Sequence, residues 1–484
     1  MPCRWGGVAA PSSASGPRPS RIGSGTLAIV LLAVALVPFV QDLTAQPAIR
    51  YAQTAAMVDR GTIQLDAYER VVGVDKVVRD GHIYGDKAPL QPVVAMPVYR
   101  LARAVGFEPA EHLRVEGNLG LWWVTLWCTV IPLLGIAALG IRLVRRVLGP
   151  ASAVQGTLAI CAGTLLLAYG TQLYAHVLAG LVGWGCWLLA DRSLRASSQE
   201  RPLVLAALAG ALGGAAVVTE YPLAIVVLVV AGVLAVDRAW SRLAAFAAGG
   251  IPFAALLMAY QAAAYGSPFT VSYSEKPQHA AEPLVLGWPN PMRLLEVLFG
   301  SRGLLLFSPV VAIAVWGLVR LARSGAGDRR RHGIVGLSVF GAFLVLQSAW
   351  VNPWGGEAPG PRYIIPALPF LIIGMAEAWN RAPRFQWVAV RWSVLAMSMT
   401  VIADHLTAAG NYAVIAQLQG LRDNGPVESL WTLLLGPVGM AVHAATVIVA
   451  AWYLVAAVRS EQAARGEAGA PLPPLEQHHA DVAL

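Results

Sequence analysis

Residues 66–89 read DAYERVVGVDKVVRDGHIYGDKAP and set Asp66, Glu69, Asp75, Asp80 and Asp86 among Lys76, Arg79 and Lys87. That density stands out in a chain of 484 residues that is 57% hydrophobic and only 13% charged. On either side of it, apolar runs of 15 to 26 residues recur to both ends of the sequence. A helix needs roughly 20 apolar residues to cross a bilayer, so the pattern is that of a polytopic, all-α membrane protein. The runs are apolar nearly all round, whereas surface helices of a soluble core carry an amphipathic stripe. The charged stretch is then a loop between the first and second spans.

Working outward, the first span is expected at 26–40 and the others near 117–141, 154–169, 174–190, 203–219, 221–236, 243–264, 303–320, 334–350, 363–379, 389–406 and 432–457, about twelve in all. The 26–40 run follows Arg18 and Arg21 and reads as a retained first helix; a cleavable leader ending at Leu43-Thr44-Ala45 is the alternative. With the N-terminus inside, the inside loops carry Arg142/Arg145/Arg146, Arg192/Arg195, Arg238/Arg242, Arg320/Arg323 with Arg329 to Arg331, Arg381/Arg384, and Arg459. The positive-inside rule is satisfied without moving a span. Both termini are expected in the cytoplasm, with 1–24 and 459–484 as disordered tails around a membrane domain at 25–458. The motif-like loops at about 42–116, 265–302 and 350–363, with the turns at 169–176 and 219–221, all emerge on the outer face. The segment 89–103 is too short and Pro-rich to span and reads as an interfacial helix.

The net charge of +8, from 35 basic and 27 acidic residues, lies mostly in the short inside loops, where it sets topology. No nucleic-acid partner is implied. Cys3, Cys128, Cys161 and Cys186 include no loop pair, so neither a disulfide framework nor metal-ligand spacing is present. No metal site is assigned, although the carboxylates of the first loop are numerous enough to hold a divalent cation. A His-rich pair, His478 and His479, falls in the tail. No glycine-rich phosphate loop appears in a nucleotide-binding context.

In the first loop, 50–58 suits a helix that Gly61 ends. Asp66 and Asp75 follow, then the compact element HIYGDKAP (82–89). A carboxylate at the membrane surface can deprotonate an acceptor hydroxyl, and Lys87 can pair with a lipid phosphate as a point charge. The alternative is a set of solvated salt bridges. In AWVNPWGGEAPGPRYIIPALP (349–369), the glycines let backbone approach a ligand, and Trp350, Trp354 and Tyr363 can stack on a sugar or sit in the interfacial belt. Arg362, against the charge bias of its face, can fork onto a phosphate. Glu220 in VVTEYP (217–222) is an acid at a span end and so a candidate ligand group, or the partner of a nearby Arg. His176 in TQLYAHVLAG (171–180) either binds ligand or is a satisfied structural histidine. The 265–302 loop, with Tyr273, Glu275, Lys276 and Arg302, has the look of an acceptor-facing lid.

These residues resemble a known family. RYAQTAAMVDRG (50–61) followed by IYGDKAPLQPVVAMPVY (83–99) is similar to the first periplasmic loop of bacterial GT-C glycosyltransferases, the lipid-carrier-dependent enzymes related to protein O-mannosyltransferases and the aminoarabinose transferase of lipid A. Those enzymes have an RYAE-type helix and then a Y-x-x-K-x-P element, which Arg50, Tyr51, Tyr84, Lys87 and Pro89 match here. GPRYIIPALPF (360–370) and TEY (219–221) also resemble elements of a bacterial branch. The likeness runs over roughly 25–380. It implies a GT-C bundle whose outer first loop carries short interfacial helices, a polyprenyl-phosphate sugar donor, inversion at the anomeric carbon and a loop carboxylate as base. Lys87 and Arg362 would then hold the carrier phosphate, and Tyr84, Trp354, Tyr363, Glu220 and His176 would line the substrate. The sequence departs from the family in one place: relatives carry an acidic pair just before the RYAE-type helix, where this chain has Gln46, Pro47 and Ala48, with Asp42 out of register. The base is therefore expected at Asp66 or Asp75, with Asp86 third because it adjoins Lys87 and can instead orient it.

The expectation is an inner-membrane hexosyl- or pentosyltransferase of the cell envelope, acting on a lipid, glycan or protein acceptor outside the membrane. A transporter or lipid flippase is the rival class, but those place ionisable groups at the bilayer midplane. A catalytically inactive relative is the other alternative, given the missing acidic pair.

Overall fold

The computed structural model describes residues 22–40, 44–73, 75–107, 110, 118–270, 272, 286–379, 381, 383–403, 412–464 and 466. Asp42, Leu43, Tyr273, Glu275, Lys276, His478, His479, Cys3 and most of both tails lie outside them.

After α1 (Ser24–Leu36) the chain forms α2 (Ala45–Ala55), a small hairpin of β1 (Lys76–Arg79) and β2 (His82–Gly85), and α3 (Leu90–Ala104). The bundle continues through α4 (Leu119–Thr125), α5 (Ile131–Val147), α6 (Ala153–Gly163), α7 (Leu165–Gly170), α8 (His176–Arg195), α9 (Pro202–Thr219), α10 (Ala224–Val236) and α11 (Trp240–Tyr265). It closes with α12 (Pro291–Phe299), α13 (Leu304–Phe307), α14 (Val310–Ser324), α15 (Asp328–Ala349), α16 (Ile372–Ala378), α17 (Pro383–Ile402), α18 (Ala413–Asn424), α19 (Leu430–Leu435) and α20 (Val438–Ala464).

Among the described residues, seven helices are long and apolar enough to cross a membrane, or eight if the pair broken by 94° before Val310 is one span; three shorter apolar helices accompany them. Among the described residues, the apolar runs expected from the sequence fall largely on helical backbone, so this is an all-α, multi-pass membrane protein. Four of those runs are interrupted, among them 432–457 at Gly436-Pro437, between α19 and α20. The 154–169 run breaks at Thr164, whose side chain caps α7. The 303–320 run bends between α13 and α14. The 363–379 run opens as a 3-10 helix, Arg362–Leu371, because Pro366 and Pro369 have no amide to donate to an α-helical ladder. α20 also runs on through 459–464, part of the stretch expected to be a disordered tail.

Small residues set the helix spacing. A Cβ at Gly210 on α9 would collide with the carbonyl of Phe246 on α11, and one at Gly249 with the carbonyl of Ala207. Gly317 on α14 and Gly374 on α16 make the same backbone-to-backbone approach. Lipid removes the hydrophobic drive between helices, so close van der Waals contact has to replace it. α11 shows the complementary face: only 6% of its apolar window is buried, which leaves most of it to the acyl chains.

The two ends of the bundle differ chemically. At one, the fully buried Asp191 near the C-terminus of α8 gathers Arg146 (3.1 Å), Arg195 (3.0 Å), Arg331 (3.3 Å) and His332 (3.6 Å), tying α5, α8 and α15 together. Ser24 of α1 and Glu461 of α20 join at 2.8 Å, and Gly25 packs on Arg145, so the first and last helices meet near this end too. At the other end of α8 stands His176, 15 residues away, or roughly 22 Å along the helix.

Candidate active site

The first loop is built by local rules. α2 passes into a π-helical turn, Ala56–Arg60, and stops at Gly61, whose φ of +64° is the left-handed conformation glycine tolerates. β1 and β2 pair antiparallel across a two-residue turn, Asp80-Gly81, with φ of +50° and +79°, the primed turn that suits strand twist. The strands pair Val77 with Tyr84 and Lys76 with Gly85. Asp66 pins this hairpin: one oxygen accepts from the Ile83 amide (2.6 Å) and the other meets His82 Nδ1 (2.8 Å). Partial burial works against ionisation, but the Ile83 amide and then His82 outweigh it and hold the Asp66 carboxyl below the usual carboxylate range.

The hairpin delivers Asp86 and Lys87 into the protein. Tyr265 Oη donates to Gly85 O (2.6 Å) and Ser272 Oγ to Asp86 O (2.7 Å), tying two consecutive carbonyls at the end of the hairpin to the C-terminus of α11 and to Ser272 beyond it. Lys87 is 5% exposed and Asp86 is fully buried. The Lys87 ammonium sits 2.9 Å from Asp86 and 3.5 Å from Asp75. A lysine this deep needs counter-charge, and the two aspartates supply it.

A second ion pair lies alongside. Arg50 on α2 donates to Glu220 (2.9 Å), which follows α9, and His176 Nδ1 at the start of α8 stands 3.5 Å from the same carboxylate oxygen. Around His176 the rings of Tyr169, Tyr174 and Tyr363 pack with centroids 5.8, 5.9 and 6.1 Å away, and Trp350 stacks on Tyr363 at 4.7 Å. The Arg362 guanidinium lies 5.4 Å from both the Tyr174 and Tyr363 rings. Arg362 is buried, and among the described residues no carboxylate comes within ion-pair distance and no acceptor meets its Nε. Arg50, Lys87 and Arg362 all lie close enough for their charges to act on His176 and Glu220. Three buried cations therefore converge at one end of the bundle, one of them held by aromatic faces. Such an arrangement suits an anion that brings its own charge.

The sequence-derived candidates separate accordingly. Asp75, Asp86, Lys87, Glu220, His176, Arg362 and Tyr363 come together. Asp66 does not, because its oxygens are spent on the hairpin at a side chain 43% exposed. Tyr84 is seated in a small apolar cluster with Val77, Ala264 and Tyr265, where it docks the hairpin on α11. Trp350 rather than Trp354 makes the stack on Tyr363. Arg302 braces the 350–363 loop by donating to Gly356 O and Ala358 O, both at 3.2 Å. Among the described residues no three His, Cys, Asp or Glu side chains are gathered as metal ligands; Lys87 stands between Asp75 and Asp86 instead. Sequence reading gave no role to Tyr169, Tyr174, Gln53 or Gln91. Only the turn before His176 carried a signal, in TQLY (171–174).

No family model matches the chain, and no curated protein does. Solved structures do. ArnT from Cupriavidus metallidurans bound to undecaprenyl phosphate aligns with a TM-score of 0.54 at 16% identity, over 90% of this chain and 73% of ArnT. The apo state of the same protein gives 0.51 at 16% identity, over 90% and 72%. An apo oligosaccharyltransferase from Archaeoglobus fulgidus aligns at 0.42 and 12% identity, over 82% and 55%. At this identity the likeness concerns architecture: the chain is a multi-pass membrane protein with the fold of ArnT.

Proposed function

We propose that the chain is a glycosyltransferase that moves a sugar from a polyprenyl phosphate to an acceptor hydroxyl at the outer face of the inner membrane, with both termini in the cytoplasm. The feature that carries this reading is the Arg50–Glu220–His176 group, with Arg362 on the neighbouring Tyr174 and Tyr363 rings and the buried Lys87 within electrostatic reach of His176. Two kinds of likeness support it: the fold, and the undecaprenyl phosphate bound to ArnT.

In the proposed step, the acceptor oxygen attacks the anomeric carbon as the bond from that carbon to the carrier phosphate oxygen breaks, with inversion. The bonding pair leaves on the polyprenyl phosphate, whose charge Lys87 and Arg362 offset. The acceptor proton passes to a carboxylate. Asp75, 15% exposed at the edge of the Lys87 group, is the assigned base, and the fully buried Asp86 orients Lys87.

A transfer assay with the purified chain and a polyprenyl-phosphate sugar tests this. Lys87→Ala and Arg362→Ala are each expected to lower kcat/KM about 100-fold or more, the scale on which preorganised charges act on a leaving oxyanion. Asp75→Asn is expected to lower kcat with little change in KM. Full activity in all three variants sinks the residue assignment; lipid movement across vesicles without sugar transfer by the wild type sinks the enzyme reading.

A further inference from the structure

Four glutamines lie on the elements that carry or border the cation group, each nearly or wholly buried: Gln46 (5% exposed) and Gln53 (4%) on α2, Gln91 (1%) on α3 and Gln172 (2%) in the turn before His176. In all four the side-chain oxygen meets no donor among the described residues. Native proteins leave few buried polar atoms unmatched, so four acceptors around one group of charges indicate a ligand that donates hydrogen bonds.

Their placement says which part of the ligand. Gln46 and Gln53 lie four residues before and three after Arg50, on the same face of α2. The Gln53 side chain lies against Gly85, where an added Cβ would strike its amide, directly before Asp86 and Lys87. Gln91 donates its Nε2 to Tyr174 O at 3.0 Å, which fixes the amide's orientation and leaves the oxygen as the unmatched atom. Gln172 accepts from the Tyr174 amide through its own carbonyl, 2.7 Å away. Tyr174 is the ring against which Arg362 packs. The acceptors thus lie beside the residues assigned to the carrier phosphate, where the group attached to that phosphate must sit.

We infer that this site reads the donor sugar through glutamine oxygens and takes a neutral, hydroxyl-bearing glycosyl group in preference to an amino sugar. The inference rests on the function proposed above. Hydroxyls donate to amide oxygens without bringing charge. An ammonium would need a carboxylate, and Glu220, Asp86 and Asp75 are each engaged by Arg50 or Lys87. A buried amine here would add a fourth cation to a group whose carboxylates already face Arg50 and Lys87.

Binding to the purified full chain in lipid nanodiscs, without acceptor, tests the inference with three probes: bare polyprenyl phosphate, the same carrier with a neutral hexosyl group, and the same carrier with an amino-pentosyl group. The neutral glycosyl lipid is expected to bind about tenfold tighter than the bare carrier, and the amino-sugar lipid no tighter than the bare carrier. Gln91→Leu and Gln53→Leu should each remove most of the neutral sugar's advantage, and Gln91→Glu should tighten the amino-sugar lipid. Equal affinity for the two glycosyl lipids overturns the inference. So does an equal loss for bare and glycosylated carriers in Gln91→Leu, which would mean that Gln91 only braces Tyr174. Failure to bind any of the three lipids overturns the proposed function, and this inference with it.

Discussion

Lys87 and Arg362 reach comparable burial in opposite ways, and the difference sorts function from scaffold. Lys87 is neutralised by its own chain, whereas Arg362 is surrounded by aromatic faces. Arg50 and Glu220 form a buried pair of the kind that hydrophobic replacements often match or exceed in stability. Glu220→Gln leaves Arg50 uncompensated and is expected to cost about 3–5 kcal/mol, read by chemical unfolding in detergent. The double variant Arg50→Leu with Glu220→Leu should regain part of that stability while transfer stays lost. Stability without activity would show that the pair is retained for chemistry. Asp66 offers a pH test. Its folded pKa lies below the ordinary value, so its contribution to the hairpin is full above the unfolded carboxylate pKa and is lost as pH falls through the lowered one. The protection of the Ile83 amide against hydrogen exchange, taken relative to its intrinsic rate at each pH, should therefore fall on acidification through that window, and Asp66→Asn should flatten the dependence.

Among the elements, the broken ones carry the site. α7 and the 3-10 helix Arg362–Leu371 are short or tightened where Thr164 and the prolines interrupt α-helical pairing, and α8 begins afresh at His176 after the 171–175 turn. Those breaks free the backbone that brings Tyr169, Tyr174 and Arg362 together. The unbroken helices supply the frame through close glycine contacts. Gly317→Ala sets a methyl against the Gly374 carbonyl and should destabilise α14 against α16 by about 1–3 kcal/mol, measured as a lower unfolding temperature in detergent. The proline tightening and the Asp80-Gly81 turn were both readable: the first from PALPF (366–370), the second from a DG flanked by Val78 and Ile83. The π-helical turn after Ala55 left no such mark, because no residue type requires it.

Across the whole molecule, the Lys87 group and the Asp191 network occupy opposite ends of α8. Asp191 gathers three arginines and His332 from three helices, and His332 Nδ1 also accepts from Trp187 Nε1 at 3.0 Å. Asp191→Ala leaves those cations facing one another and should cost about 3–5 kcal/mol of stability. Lying about 22 Å along α8 from His176, it should leave kcat/KM per folded molecule close to wild type. A parallel loss of kcat/KM in the folded fraction would show that the two ends are coupled. The arginine count in the inside loops anticipated a basic end; that one buried carboxylate organises it was not legible, since Asp191 is 45 residues from Arg146 and 140 from Arg331.

By itself the sequence determined the solvent, the helix content and the loop in which charge collects, because hydropathy and turn chemistry are local properties that each segment carries with it. Pairing was decided only by the tertiary structure. Whether Asp66 or Asp75 faces Lys87, whether Trp350 or Trp354 stacks on Tyr363, and whether Glu220 meets Arg50 depend on which distant helices become neighbours. In a membrane that choice rests on glycine contacts and buried polar partners spread along the chain, and no single stretch encodes it.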